Sequence, residues 1–367
     1  MNILYLINFA GKSGTEKYVD IVASHAHALG HGVYFMYNAG GPLVARMAAI
    51  SRDVARLDMK SPLDIIAARR LARYCKAHGI DIIHTQFARE NYIAVLAKAL
   101  FRARVRIVHT CHISAVNGFA WRCLHRLLSG GNGRVIAVCN VVRNLLIANG
   151  YPAGKIQVIN NGVAYRPRLD KPERAEGAFH FVSLARFSQD KGILFLLESA
   201  KRLMENDAEA GGGFRLTIAG DGPLLEEARA FIQANGLSHA IALPGFCQDA
   251  AALLRDGDCY INSAQSGEAH SFAVLEAMEA GLPIIATDIG GNPDIVNAQT
   301  GCGLLVPYGN HEAMARAMAY IRDNPDQAAP MAHNARHAVK TLFTIENTLD
   351  ATCRVYEEIG GASCTSS

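Results

Sequence analysis

The chain has 367 residues, half of them hydrophobic and 19% charged, which implies a globular protein with two domains large enough to bury their own cores. No apolar run reaches ~18 residues, no basic region precedes the first apolar stretch, and the nine cysteines form no Cys-x-x-Cys pair; this disfavours a transmembrane helix, a signal peptide, a zinc ribbon and a disulfide framework, and fits a reducing cytosol. The net charge of +3 is uneven: residues 1–164 carry 20 Lys+Arg against 7 Asp+Glu, and residues 165–367 carry 16 against 26, so the first half suits an anionic surface such as a membrane, a lipid phosphate or an acidic sugar.

In chain order, short apolar runs predict strands at 2–8, 32–37, 81–84, 105–110, 134–138 and 156–159. Between them, amphipathic stretches predict helices near 15–29, 62–78, 89–100, 118–129 and 140–149. Alternation of this length implies βαβ units and parallel sheets. Residues 160–178, with two prolines and mixed charge, read as a linker. The pattern restarts with strands at 179–184, 214–219, 241–243, 258–262, 283–286 and 303–306. Helices follow near 191–207, 223–235, 271–280, 310–322, 328–342 and 346–359, and residues 208–213 read as a loop. The expected domains are 1–164 and 165–342, with 343–367 a final helix that crosses back to the first domain, and tail. Two doubly wound domains leave a cleft, and ligands of such sheets bind at the carboxyl ends of the strands.

Five places could carry chemistry. The turn Gly11–Glu16 after the first strand is neither Gly-x-Gly-x-x-Gly nor a Walker A loop, so nicotinamide binding and ATP hydrolysis lose support; its glycines still let a phosphate approach a helix N-terminus. Arg186 and Lys191 leave a strand end and meet a helix start, a place that suits a diphosphate. Glu268 precedes a helix and Glu276 lies inside it, where a carboxylate among apolar residues needs partners such as sugar hydroxyls. His112 ends a strand, with His84 and His109 competing for any role. Asp256-Gly257-Asp258 has the Asp-x-Asp form of metal-dependent transferases, but at the amino end of a strand, which makes it structural.

Taken in order, several segments resemble the retaining glycosyltransferases of family 4: Gly14-Thr15-Glu16, Thr110-x-His112, Val158 to Gly162, Arg186 to Lys191, Ala219-Gly-Asp-Gly-Pro223, Pro244-Gly-Phe246, Glu268-x7-Glu276, and Gly281 to Gly291. The resemblance implies the GT-B fold, two Rossmann-like doubly wound α/β domains facing across a cleft. It implies that Arg186 and Lys191 bind and stabilise the donor diphosphate, that Glu276 binds the ribose, and that Glu268 holds the transferred sugar. Gly14 would admit the diphosphate, His112 would lie near the reacting sugar carbon, and Phe246 would border the base. The helix beginning at Ser271, Phe272 and Ala273 would aim its N–H groups at the phosphates. Ala269, His270 and Ser271 depart from the family pattern beside the sugar, which bears on sugar identity. The implied function is transfer from a nucleotide sugar, by family frequency a UDP-sugar, to a glycan or lipid-linked acceptor in cell-surface polysaccharide biosynthesis. No metal or other cofactor and no nucleic acid is expected. Alternatives are a nucleotide-sugar epimerase of the same fold and an inactive sugar-binding relative that acts in assembly.

The basic half also carries two local clusters. Arg102, Arg104 and Arg106 alternate on entering a strand and so share one face. Trp121, Leu124, Leu127 and Leu128 form a helical stripe flanked by Arg122, His125 and Arg126. Together they suggest a cytoplasmic protein whose first domain docks peripherally on an anionic membrane.

Overall fold

The computed structural model describes residues 1–112, 118–167, 178–210 and 213–361. Contacts divide the chain into two units, Met1–Asn161 with Glu346–Ser367, and Gly162–Ile345.

In the first unit the order is β1 (Asn2–Phe9), α1 (Gly14–Ala28), β2 (Gly32–Ala39), α2 (Pro42–Ala48), β3 (Asp53–Arg56), α3 (Ile65–His78), β4 (Ile82–Thr85), α4 (Ala88–Phe101), β5 (Arg106–Cys111), α5 (Phe119–Ser129), β6 (Arg134–Ala137), α6 (Asn140–Ala148) and β7 (Ile156–Val158). All seven strands are parallel, in the order β3-β2-β1-β4-β5-β6-β7. Burial on both sheet faces explains the near-continuous apolar run of β1, where Ile3 to Ile7 are wholly buried. Helices α3 and α4 cover one face over Leu4, Leu6, Ile83 and Ile107, and Leu128 of α5 joins that core. The Asp64 carboxylate caps α3 by accepting from the Ala67 N–H at 2.9 Å, the usual N-cap geometry. The added elements are α2 and β3. Strand β3 is half-buried at the sheet edge, so it lacks the apolar run that marks the others.

The second unit runs β8 (Phe179–Leu184), α7 (Ile193–Ala210), β9 (Phe214–Ala219), α8 (Leu225–Ala234), β10 (Ile241–Gly245), α9 (Ala250–Asp256), β11 (Cys259–Asn262), α10 (Phe272–Ala280), β12 (Ile284–Thr287), α11 (Asn292–Ile295), β13 (Gly303–Val306), α12 (His311–Asp323) and α13 (Pro325–Thr341). Its six strands are parallel in the order β10-β9-β8-β11-β12-β13. Separate apolar cores fill the two faces, one around Phe181, Leu196 and Leu216 and the other around Tyr260, Val274 and Ile284.

Three expectations need correction. Residues 208–210 continue helix α7 rather than opening a loop, while 211–212 of that expected loop lie outside the described residues. Lys191 stands in a separate 3-10 turn, Gln189–Lys191, ahead of α7. Arg102 and Arg104 precede β5, which starts at Arg106, and Arg102 takes the left-handed conformation (φ 53°) that ends α4. The three arginines therefore share no strand face. Part of the expected linker, 168–177, lies outside the described residues.

A last helix, α14 (Ile345–Gly360), joins the first unit from Glu346 onward. Its Tyr356 hydroxyl lies 2.6 Å from His84 Nδ1, and the Thr348 hydroxyl donates to the Asn160 carbonyl at 2.8 Å. The unit so completed carries 21 Lys+Arg against 11 Asp+Glu, a net +10.

Candidate active site

Both sheets are doubly wound, and in such sheets the crevice lies where strand order reverses, at the carboxyl ends of the strands. The reversal falls between β1 and β4 in the first unit and between β8 and β11 in the second. The candidate residues follow these strands.

In the second unit, β8 leads to Arg186 and Lys191, and β11 leads to Glu268. Lys191 Nζ donates to Glu268 Oε2 at 2.7 Å. Asp190 sits between the cations. Its Oδ1 accepts from the Ser188 hydroxyl at 2.5 Å and lies 3.5 Å from the Arg186 guanidinium, and Oδ2 is 3.8 Å from Lys191 Nζ. Arg186 Nε donates to the Ser188 hydroxyl at 3.1 Å. Burial pushes the Asp190 carboxyl up, but the Ser188 hydroxyl, Lys191 and Arg186 together hold it below its usual range. The backbone locks the same loops, since the Gln265 and Ser266 N–H groups donate to the Asp190 carbonyl at 2.8 and 3.2 Å.

Two glycine motifs explain this closeness. A side chain at Gly220 would strike the Ala185 carbonyl, and one at Gly290 the Glu268 carbonyl. Both glycines have positive φ, where L side chains are strained. The Gly290 turn also lets the Gly291 N–H donate to the Glu268 carbonyl at 3.1 Å, which fixes Glu268 beside Lys191.

Ser271 occupies the N-cap position of α10, with Phe272 and Ala273 in its first turn and the half-buried Glu276 one turn on. Both Glu268 and Glu276 add to the burial that raises the phenol of Tyr260, so both carboxylates reach one neighbourhood. Phe246 follows β10 and is 58% exposed. His270 is buried edge-on against Phe343, 5.1 Å between ring centres, and burial lowers its imidazole to about 3; its side chain fills the core. Asp256 and Asp258 flank the amino end of β11, where Asp256 pairs with Arg215 at 2.5 Å and Asp258 accepts the His180 N–H at 2.8 Å. They hold strand ends together at the edge opposite Lys191.

In the first unit, Gly14 opens α1 after Ser13. The Glu16 carboxylate accepts from the Ser13 N–H at 2.9 Å and the Gly11 N–H at 3.3 Å. The turn thus carries its own anion on two of its amides. His112 directly follows β5. Its Nε2 lies 3.0 Å from Gln86 Oε1, which in this amide orientation puts the ring proton on Nε2, and Tyr18 packs edge-on at 4.9 Å. Burial, with His109 nearby, lowers His112 to about 3. The competing histidines are internal. His84 bridges the Tyr356 and Thr110 hydroxyls at 2.6 and 2.7 Å, and His109 Nδ1 lies 3.1 Å from the Thr85 hydroxyl.

Sequence reasoning missed Gln86, Glu90 and Asn91, which lie between β4 and the first turn of α4. Glu90 is wholly buried and accepts the Asn8 N–H at 2.8 Å, and burial pushes its carboxyl up to about 8. Gln86 Nε2, Glu90 Oε2 and Asn91 Nδ2 are buried without a hydrogen-bond partner among the described residues. Their position after the β4 switch-point strand was the available signal.

Two doubly wound units with parallel sheets of seven and six strands have the architecture of the GT-B fold. Residues 12–165 match the family described as Glycosyltransferase Family 4, and residues 166–338 match Glycosyl transferases group 1. The chain belongs to these glycosyltransferase families. It is 25% identical over 312 residues to the UDP-Gal:alpha-D-GlcNAc-diphosphoundecaprenol alpha-1,3-galactosyltransferase of Escherichia coli, covering 80% of this chain and 78% of that one. It is 30% identical over 203 residues to the putative colanic acid biosynthesis glycosyltransferase WcaL of Escherichia coli K12, covering 53% of this chain and only 49% of WcaL, about half its length. Among solved structures, a glycosyltransferase from Rickettsia africae aligns over 99% of both chains with a TM-score of 0.83 and 22% identity. Anabaena HepE in complex with UDP aligns over 98% of this chain and 100% of that one, with a TM-score of 0.82 and 18% identity. Among the described residues, no helix is long and apolar enough to cross a membrane.

Proposed function

We propose that the chain is a retaining, metal-independent glycosyltransferase that moves a sugar from a UDP-sugar to a lipid-linked glycan acceptor in cell-surface polysaccharide assembly. The observation that carries this reading is the cluster of Arg186, Lys191, Glu268 and Asp190 at one strand edge, with Glu276 a helical turn into α10. Two cations held by carboxylates are ready to exchange those partners for a diphosphate. The sugar–phosphate bond breaks at the anomeric carbon while the acceptor oxygen bonds to it from the same face. The acceptor proton passes to the departing phosphate oxygen, and Arg186 and Lys191 carry the charge that develops there. Glu268 holds sugar hydroxyls, Glu276 the ribose, and the N–H groups of Phe272 and Ala273 the phosphates. Gly14 and His112 are assigned to the diphosphate and the reacting sugar on the family pattern, and Phe246 to the base. The UDP donor is supported by the UDP complex of HepE, and the lipid-linked acceptor by the Escherichia coli galactosyltransferase.

The test is a binding screen of nucleotide sugars, followed by mass analysis of products with a diphospho-lipid-linked sugar and proton NMR of the first product. A retained anomeric configuration, with activity intact in EDTA, supports the reading. Inversion, or activity lost in EDTA and restored by Mn²⁺, overturns it.

A further inference from the structure

Helices α3, α4 and α5 lie side by side on one face of the first sheet. Their outer surface has an unusual composition. Helix α3 exposes Ile65 and Ile66 at its start, 57% and 67%, next to the exposed Leu63, and then exposes Arg69, Arg70, Arg73 and Lys76. Helix α5 exposes Phe119, Trp121 and Leu127 together with Arg122 and Arg126. Helix α4 adds the exposed Lys98 and Leu100. The only acidic residue in the three helices is Glu90, and it is wholly buried. The layer thus presents seven exposed cations and no exposed carboxylate. Elsewhere the unit does carry acids, on α14 for example, so this is not the average of its surface.

Each helix follows a strand, so the starts of α3 and α5 lie toward the carboxyl edge of the sheet, the edge that also carries His112. Large apolar side chains at helix starts, with arginines further along the exposed face, are what an interfacial helix needs. The apolar groups enter the headgroup boundary and the cations meet lipid phosphates. The stripe expected on α5 is only partly available for this. Leu128 and His125 are buried, His125 against the Tyr92 hydroxyl, and Trp121 and Leu127 are exposed.

We infer that the α3–α4–α5 layer docks on an anionic lipid surface, with the α3 start and Trp121 inserted. This goes beyond the proposed reaction, and its test does not depend on catalysis. Trp121 is the single tryptophan of the chain, so its fluorescence reports insertion without labelling. The full chain is mixed with phosphatidylcholine vesicles, with or without phosphatidylglycerol, at low and moderate salt. The emission is expected to shift to the blue, and the protein to co-sediment, only when phosphatidylglycerol is present, and both effects are expected to weaken with salt. Arg69→Glu with Arg70→Glu, both on exposed positions, is expected to lower vesicle affinity about tenfold or more. Ile65→Ser with Ile66→Ser is expected to weaken it with the charge unchanged, and Arg229→Glu on the second unit is expected to leave it unchanged. Equal binding to neutral vesicles, no binding at low salt, or indifference to the α3 substitutions overturns the inference. Sedimentation velocity that shows a dimer dissolved by the same substitutions also overturns it, in favour of a second copy as the occupant.

Discussion

The two sheets share one strand order, yet their switch points are chemically opposite. In the second unit the edge after β8 and β11 holds ionic partners within salt-bridge distance, with Arg186 open and Lys191 a quarter exposed. In the first unit the edge after β4 and β5 holds buried groups kept neutral: His112 lowered to about 3 and Glu90 raised to about 8. Burial is the first cause of both shifts, and it always favours the uncharged form. One topology thus carries paired cations and carboxylates on one edge and buried, uncharged His112 and Glu90 on the other. The contrast arises from the side chains and from the turns that carry them, since the six strands that the sheets share run in the same order.

The largest effect that could break the comparison lies with Lys191. If it carries leaving-group charge, Lys191→Ala lowers turnover about 100-fold or more, as loss of a positioned transition-state charge does, and changes donor affinity less. Steady-state kinetics with separate titration of UDP decides this; unchanged turnover would remove Lys191 from the reaction. Next comes the division between the carboxylates. Glu276→Gln should weaken UDP binding by about tenfold, the scale of one charged hydrogen bond, while Glu268→Gln should leave UDP binding intact and impair transfer. Calorimetry on both variants tests it, and equal losses of affinity would refute separate roles.

The third effect concerns the neutral edge. His84, His109 and His112 have folded values of about 3, 4 and 3. Unfolded, they take up protons near 6.5. As pH falls from 6.5 toward 4 the unfolded chain binds protons that the folded unit refuses, so stability is lost on acidification. Glu90 opposes part of this in the same window. The net loss between pH 6.5 and 5.5 is about 2 kcal/mol. Hydrogen exchange of the slowest amides in β4 and β5, corrected for intrinsic rate, should show it more strongly than β11 and β12, where His270 is the matching histidine. Equal acid sensitivity of the two sheets would contradict the contrast.

How much of this was legible in the sequence follows the same division. In the second unit the places of Arg186, Lys191 and Glu268 after apolar strands, and of Glu276 inside the next helix, were readable, because position in a βαβ unit is what sequence pattern reports; their roles came from the family resemblance. The neutral edge was not readable beyond His112. Gln86, Glu90 and Asn91 look like ordinary polar residues at a helix start, and only long-range packing buries them. Likewise α2 and the edge strand β3 carry too little apolar periodicity to announce themselves, and only the fold shows that Ile65 and Ile66 are exposed. The arginines at 102, 104 and 106 misled because a left-handed residue breaks the alternation that a strand would impose.

The smallest effect sharpens the contrast at Glu90. Its folded value of about 8 stands above the ordinary carboxylate range, so between those values the unfolded chain has lost a proton that the folded unit keeps. The sign is therefore opposite to that of the histidines: stability falls as pH rises, by about 1 kcal/mol from Glu90 between pH 7 and 8, with less than half of that offset by the last protons that the unfolded histidines release. The first unit should then be most stable near pH 7, with an acid arm from the rings and a shallower alkaline arm from one carboxyl. Glu90→Gln keeps an amide oxygen to accept the Asn8 N–H and cannot ionise. It should flatten the alkaline arm and leave the acid arm in place. Denaturant titrations of both proteins across pH 5.5 to 8.5 measure the two arms. An alkaline slope that survives Glu90→Gln would mean that Glu90 is ionised in the fold, and the edge would then hold a buried anion.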